Sequence, residues 1–240
     1  MLTSWRSSDS LPCRGERTAA YDFTMTWHFA DLFETVASAA PDRNVIVSGE
    51  RQVTWREFDQ RASSIANDLA AAMVTRQGKL MVYLYNSPEY LEACFGALKA
   101  AMVPANVNYR YGPHEIAYLF ENADAEAAIF DVEFAPLLDS IRGGLPLMKR
   151  WIAVGDPSAV PEWAVPYESV ATAATSLDFR PDRRPDDLLL QYTGGTTGMP
   201  KGVMWTQEGL FRAMGQGGSA LLGLAPVSSL SELAERIAAQ

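Results

Sequence analysis

From Trp27 onward, apolar residues recur at spacings that alternate between helical and extended periods. Phe29, Leu32, Phe33 and Val36 share one helical face that runs toward Pro41. Val45-Ile46-Val47 and Gln52-Val53-Thr54 flank Ser48-Gly49-Glu50-Arg51 and read as a hairpin. Thr54 and Glu57 then form a capping box, with the Thr54 hydroxyl accepting from the Glu57 N–H and the Glu57 carboxylate accepting from the Thr54 N–H. The helix they open carries Phe58, Ile65, Leu69 and Met73 on one face. Leu80 to Tyr85 is an unbroken apolar run, the mark of a strand covered on both sides. Ser87-Pro88 supplies an N-cap and a first-turn proline for a helix through Tyr90, Leu91, Cys94, Phe95 and Leu98. A strand over Val103–Val107, a helix with Ile116, Leu119 and Phe120, and strands at Ala127–Phe130 and Trp151–Val154 follow. This alternation predicts an α/β fold with a mostly parallel sheet flanked by helices.

The ends of the chain read differently. Residues 1–24 are polar, rich in Ser and Arg and without periodicity, and are expected to be a disordered extension, with Met25 as the start of the fold. They lack the apolar centre of a signal peptide, and no apolar run approaches the ~20 residues that span a bilayer. Residues 155–185 read as surface loops with one short helix at most, and Ser229–Glu232 caps an amphipathic helix near the end.

Composition narrows the function. With 20 Lys+Arg against 29 Asp+Glu the net charge is −9, which disfavours nucleic acid as a partner, since that affinity comes from neutralising phosphates. Two cysteines, Cys13 and Cys94, and two histidines, His28 and His114, give no metal-type spacing. Cys94 lies among apolar residues and reads as an inert buried thiol in a reducing, cytoplasmic compartment.

The chemistry sits between Asp187 and Trp205. Leu188–Tyr192 has a buried-strand pattern and runs into Thr193-Gly194-Gly195-Thr196-Thr197-Gly198, where no side chain exceeds threonine in size. Lys201–Trp205 resumes as a strand, and Thr206 caps a helix containing Leu210 and Phe211. A glycine-rich loop lets backbone N–H groups converge on a phosphate, through positive φ and close approach. The threonine hydroxyls add donors, and Lys201 brings a positive charge at a spacing set by Pro200. The plainer reading is a flexible hairpin turn. A Walker A loop is excluded because Lys201 sits between Pro200 and Gly202, and the G-x-G-x-x-G dinucleotide fingerprint does not match.

Tyr192 to Gly202, YTGGTTGMPKG, resembles the phosphate-binding signature of the adenylate-forming (AMP-binding) superfamily, which includes acyl-CoA synthetases. Gly194 stands where that signature usually has serine, a variant similar to fatty-acid–CoA ligases. Ala40-Pro41-Asp42-Arg43, Val53–Phe58, Asn86–Tyr90 and Val103–Arg110 also resemble the family's N-terminal region, so roughly residues 27–215 are covered.

The resemblance implies the N-terminal portion of the adenylate-forming large domain over residues 25–240, incomplete, with the C-terminal catalytic domain absent. It implies ATP, Mg²⁺ and CoA as reactants, and conversion of a small-molecule carboxylic acid, in the first instance a fatty acid, to acyl-AMP and then acyl-CoA. Thr193, Gly194, Gly195, Thr196, Thr197, Gly198 and Lys201 would hold the ATP phosphates, with Thr196 or Thr197 on the metal side. The catalytic residues are expected beyond Gln240, so the chain alone is expected to be inactive. Such a portion exposes apolar surface that favours a homo-oligomer or association with the missing C-terminal half. An aryl, short-chain or amino acid as substrate, and a non-catalytic nucleotide-binding remnant, stand as the alternatives. Asn106, Asn108 and Arg110 could line a substrate or phosphate path or form a strand-end polar cluster, and His114 reads as a surface or capping residue.

Overall fold

The computed structural model describes residues 26–194, 198–219 and 223–239; the extension expected over residues 1–24 lies outside them. The first helix, α1 (Phe29–Ala39), precedes an antiparallel hairpin of β1 (Asn44–Ser48) and β2 (Arg51–Thr54). A seven-stranded sheet follows, built from β3 (Lys79–Tyr83), β4 (Val103–Asn106), β5 (Ala125–Asp131), β6 (Arg150–Val154), β7 (Val165–Pro166), β8 (Leu188–Thr193) and β9 (Lys201–Thr206). Its order is β7-β6-β5-β3-β4-β8-β9, parallel throughout except where β9 runs antiparallel to β8.

The apolar run over β3 has the expected cause. Leu80, Val82 and Leu84 face one layer and Met81 and Tyr83 the other, and all five are buried. On the first side α2 (Trp55–Ala71), α3 (Pro88–Lys99) and α6 (Tyr167–Ala171) pack through Ile65, Leu69, Ala93, Ala97 and Val170. On the second, α4 (Pro113–Asn122) and α5 (Ala135–Arg142) bring Ile116, Leu119, Phe120 and Leu138. Helices α7 (Gln207–Ala213) and α8 (Leu230–Ala238) complete the chain, with Phe211 packed on Trp27 at 4.9 Å between ring centroids.

Several expectations are corrected. Helix α2 stops at Ala71, and Met73, at φ +59°, is 78% exposed instead of lining the core. Leu91 is also exposed. Of the Thr54 capping box only the bond from the Glu57 N–H to the Thr54 hydroxyl forms, at 3.2 Å; Thr54 also closes β2 opposite Asn44. Ser87 caps α3 by position without a side-chain hydrogen bond. Helix α5 and the short strand β7 escape a periodicity reading because they are only 8 and 2 residues long. Strand β8 is half-buried over Leu188–Leu190, and β9 is exposed at every position, because β9 is the sheet's edge and gives β8 little cover.

A buried polar cluster joins three helices. The Glu92 carboxylate on α3 is wholly buried and accepts from Arg61 Nε at 2.8 Å and from the Tyr167 hydroxyl at 2.6 Å. Arg61 also holds Glu168 through two bonds, at 3.0 and 2.7 Å, so one guanidinium joins α2, α3 and α6. Removing it strands a buried charge, which costs more than an exposed ion pair gives. Arg61→Ala should therefore lose about 3 kcal/mol in urea unfolding. Glu168→Ala, which removes a carboxylate that is itself 62% exposed, should lose under about 1 kcal/mol. Equal losses would show that Glu92 does not depend on Arg61.

Candidate phosphate-binding loop

The loop hangs from the β8–β9 hairpin. Thr193 and Lys201 are the last register partners, so the lysine stands across from the threonine at the loop's mouth. Gly202 opposite Tyr192 makes the approach possible: a Cβ there would lie 2.8 Å from Leu190 Cδ1, closer than packing allows. Lys201 is exposed and has no ion pair among the described residues. Gly194 does not use positive φ, contrary to the expectation that loop glycines would; it offers bare space, and a Cβ there would meet the Tyr111 hydroxyl at 3.5 Å. Around Gly198 the described residues leave the space of a Cβ open. Gly195, Thr196 and Thr197 lie outside the described residues, and with them the metal-side hydroxyl expected at Thr196 or Thr197.

Strand β8 carries this loop with very little backbone pairing on its β4 side, where Ala105 opposite Leu190 is the one register pair. Side-chain amides do the rest. Asn106 Oδ1 accepts from the Tyr192 N–H at 2.7 Å and Asn106 Nδ2 donates to the Tyr192 carbonyl at 3.1 Å, imitating a partner strand. At the other end Gln77 Oε1 accepts from the Leu188 N–H at 2.8 Å, while Gln77 Nε2 donates to the Ala101 carbonyl at 3.1 Å. The Tyr192 hydroxyl, kept protonated by burial, donates to Asn122 Oδ1 at 2.8 Å and pins the loop's base to α4. The groups that reach the mouth are a cation, a hydroxyl and bare backbone. Such a donor set fits a polyphosphate chain.

The family profile described as AMP-binding enzyme matches residues 33–229. The chain belongs to the AMP-binding enzyme family. The medium-chain acyl-CoA ligase Mig of Mycobacterium avium is 36% identical over 233 residues, which cover 90% of this chain and 42% of that protein. The 3-oxocholest-4-en-26-oate–CoA ligase of Rhodococcus rhodochrous is 34% identical over 203 residues, covering 83% of this chain and 36% of that one. The chain thus spans about two-fifths of the length of these curated relatives. Among solved structures, the anthranilate CoA ligase AuaEII with anthranoyl-AMP superposes with a TM-score of 0.72 at 23% identity, over 78% of this chain and 36% of that one. The N-terminal domain of FACL13 from Mycobacterium tuberculosis gives 0.66 at 22% identity, over 76% and 45%. The fold is that of an adenylate-forming N-terminal domain.

In this AMP-binding chain a buried clamp fixes the start of β8. His28 is 3% exposed; its Nδ1 accepts from the Ala30 N–H at 3.1 Å and caps α1, so its proton sits on Nε2, 3.6 Å from Asp187 Oδ2. Asp187 is also bound by the Arg76 guanidinium and accepts from the Arg184 N–H at 3.1 Å. Gln207 ties in the far side: its Oε1 accepts from the Phe29 N–H at 3.1 Å and its N–H donates to the Asp187 carbonyl at 2.8 Å. Burial, aided by the Arg183 charge, lowers the His28 pKa to about 4.

Of the other candidates, Asn106 lies beneath the loop and is the member of its polar cluster that reaches β8. Asn108 accepts from the Arg110 N–H at 3.0 Å, and the Arg110 guanidinium lies over the Tyr109 ring at 5.5 Å. His114 is exposed at the start of α4, as expected. Tyr83 is core, whereas Tyr85 is 38% exposed and donates to Glu133. Cys94 is half-buried, and burial pushes its thiol up to about 12, so it is inert. Gln77, Tyr111, Asn122 and the His28–Asp187 clamp were missed from sequence. Each is a single polar residue without a periodic pattern, and only the polar cluster around Asn106 gave a signal.

Two outcomes follow from this suspension. Asn106→Ala leaves the Tyr192 N–H and carbonyl unpaired, so it should cost about 2 kcal/mol and speed hydrogen exchange at the Tyr192 amide. Unchanged exchange would mean that backbone pairing alone holds β8. His28 binds its proton more weakly folded than unfolded, so the unfolded state takes up protons first as pH falls. Its stabilisation is full above pH 6.5 and is lost as pH falls toward 4, and His28→Gln should flatten that slope in unfolding measured from pH 7 to 5. A slope that the variant retains would place the proton uptake elsewhere.

Proposed function

We propose that this chain holds the ATP phosphates in an enzyme that activates an aliphatic, fatty-acid-like carboxylate as acyl-AMP and passes it to CoA. The observation that carries the reading is Lys201, free of any carboxylate among the described residues and held across from Thr193 at the mouth of a glycine-threonine loop. Membership of the family supports the ATP-dependent chemistry, and the relatives named for medium-chain and cholestenoate acids favour an aliphatic substrate over an aryl or amino acid one. A carboxylate is a poor electrophile because oxide does not leave. Its attack on the α-phosphate of ATP expels pyrophosphate, and the thiol of CoA then attacks the acyl carbon of the mixed anhydride, forming the thioester and expelling AMP.

Negative charge builds on the departing pyrophosphate. Thr193, Gly194, Gly195, Thr196, Thr197, Gly198 and Lys201 are assigned to its oxygens, where donors held in advance lower the barrier. A bound Mg²⁺ would share that charge, with the hydroxyl of Thr196 or Thr197 as its protein-side oxygen. No helix of the described residues is long and apolar enough to cross a membrane. The cytoplasm, where ATP and CoA are abundant, is the assigned compartment.

The isolated 240-residue chain is assigned binding without turnover. Calorimetric titration with Mg·ATP should show binding that Lys201→Ala weakens by about tenfold or more, with no ATP–pyrophosphate exchange. Exchange by the purified chain would overturn the assignment of binding alone. Absence of binding by a chain shown to be folded, or binding indifferent to Lys201, would remove the phosphate role.

A further inference from the structure

The residue that stands nearest to the bare side of the loop is not in the loop. Tyr111 belongs to the turn between β4 and α4, and its hydroxyl is the nearest described atom to the place a Gly194 side chain would fill, 3.5 Å from that Cβ position. Three bonds set the position of this turn. The Tyr111 N–H donates to the Asn108 carbonyl at 3.1 Å, the Arg110 N–H donates to Asn108 Oδ1 at 3.0 Å, and the Gly112 N–H donates to the Glu115 carboxylate at 2.7 Å. The ring packs, partly buried, against the core layer that contains Tyr192, the base of the loop. Its hydroxyl makes no hydrogen bond to any described residue, although every other polar group of the turn cited above is paired. A tyrosine held this firmly, with a free hydroxyl beside a backbone that lacks a side chain, is placed to donate to whatever the loop holds.

We propose that Tyr111 is a phosphate-binding residue of this site, its hydroxyl donating to an anionic oxygen of the nucleotide's phosphate chain beside Gly194. The backbone at Gly194 is not in the left-handed region, so nothing in its conformation demands glycine. A Cβ at 3.5 Å from the hydroxyl is an ordinary contact and admits serine. A serine hydroxyl at position 194 would project into the space that the Tyr111 hydroxyl now serves, and either group can supply the donor.

The inference rests on the phosphate reading above, and one set of titrations separates the two. Wild type, Tyr111→Phe and the double variant Tyr111→Phe/Gly194→Ser are each titrated with Mg·ATP and with magnesium tripolyphosphate, after thermal unfolding has shown that all are folded. Tyr111→Phe, which deletes one oxygen and keeps the ring, should weaken both ligands about fivefold to tenfold. The added serine should restore affinity to within about twofold of wild type, which a tyrosine that merely packs would not allow. If Tyr111→Phe binds as wild type does, or if the serine fails to rescue it, the role of Tyr111 is overturned while the phosphate site stands. If the folded wild type binds neither ligand, the phosphate reading falls and takes this inference with it.

Discussion

The candidate site depends on how β8 is attached to the sheet. Strands nearer the centre of the sheet are held by continuous ladders, as β5 and β6 are over five register pairs. Strand β8 pairs with the edge strand β9 over six positions, but toward β4 it has one register pair and is otherwise gripped by the carboxamides of Gln77 and Asn106 at its two ends. A carboxamide carries a donor and an acceptor in one plane, so it can satisfy a strand's backbone where no second backbone fits. The arrangement lets β4 and β8 diverge while the Leu188 N–H and both backbone groups of Tyr192 stay paired. It also gives the loop between β8 and β9 a base set by side chains on three different elements.

Electrostatics in the chain are local. The net charge of −9 is spread over a surface laced with ion pairs, and the interior charges are matched one for one or better. Arg183 binds Asp31, Glu34 and the Lys99 carbonyl, so the segment before β8 is bolted to α1 and α3. Lys201, like Arg43, Arg110 and Arg180, is an exposed cation with no ion pair among the described residues, and it stands at the loop's mouth. An acidic protein can attract a polyanion at such a place because screening confines each charge to about 8 Å at physiological ionic strength.

Much of this was readable beforehand. The unbroken apolar run over Leu80–Tyr85 and the helical spacing of Ile116, Leu119 and Phe120 gave the layers, because both faces of the sheet are covered and burial enforces the pattern. The loop motif was readable because its residue types are chemically unusual. Its supports were not. Gln77, Asn122 and Tyr111 matter through partners 70 to 111 positions away or through a gap beside a glycine, and a single polar side chain leaves no periodic trace. The exposure of Val203, Met204 and Trp205 left no sign in the sequence, since it is set by the place of β9 at the sheet's edge.

The clamp at His28 has a consequence for how the chain is made. The Phe29 N–H finds its acceptor on Gln207, 178 positions later, and the Trp27 ring finds Phe211 later still. A ribosome adding 5–20 residues per second needs roughly 10–35 seconds to cover that separation. During synthesis the Phe29 N–H therefore lacks its acceptor, and Trp27 lacks its Phe211 neighbour, until residues 207–211 emerge. Contacts of such span slow folding because the intervening chain must be closed before they contribute. The N-terminus of α1 is thus among the later features to be completed, since it depends on residues near position 210.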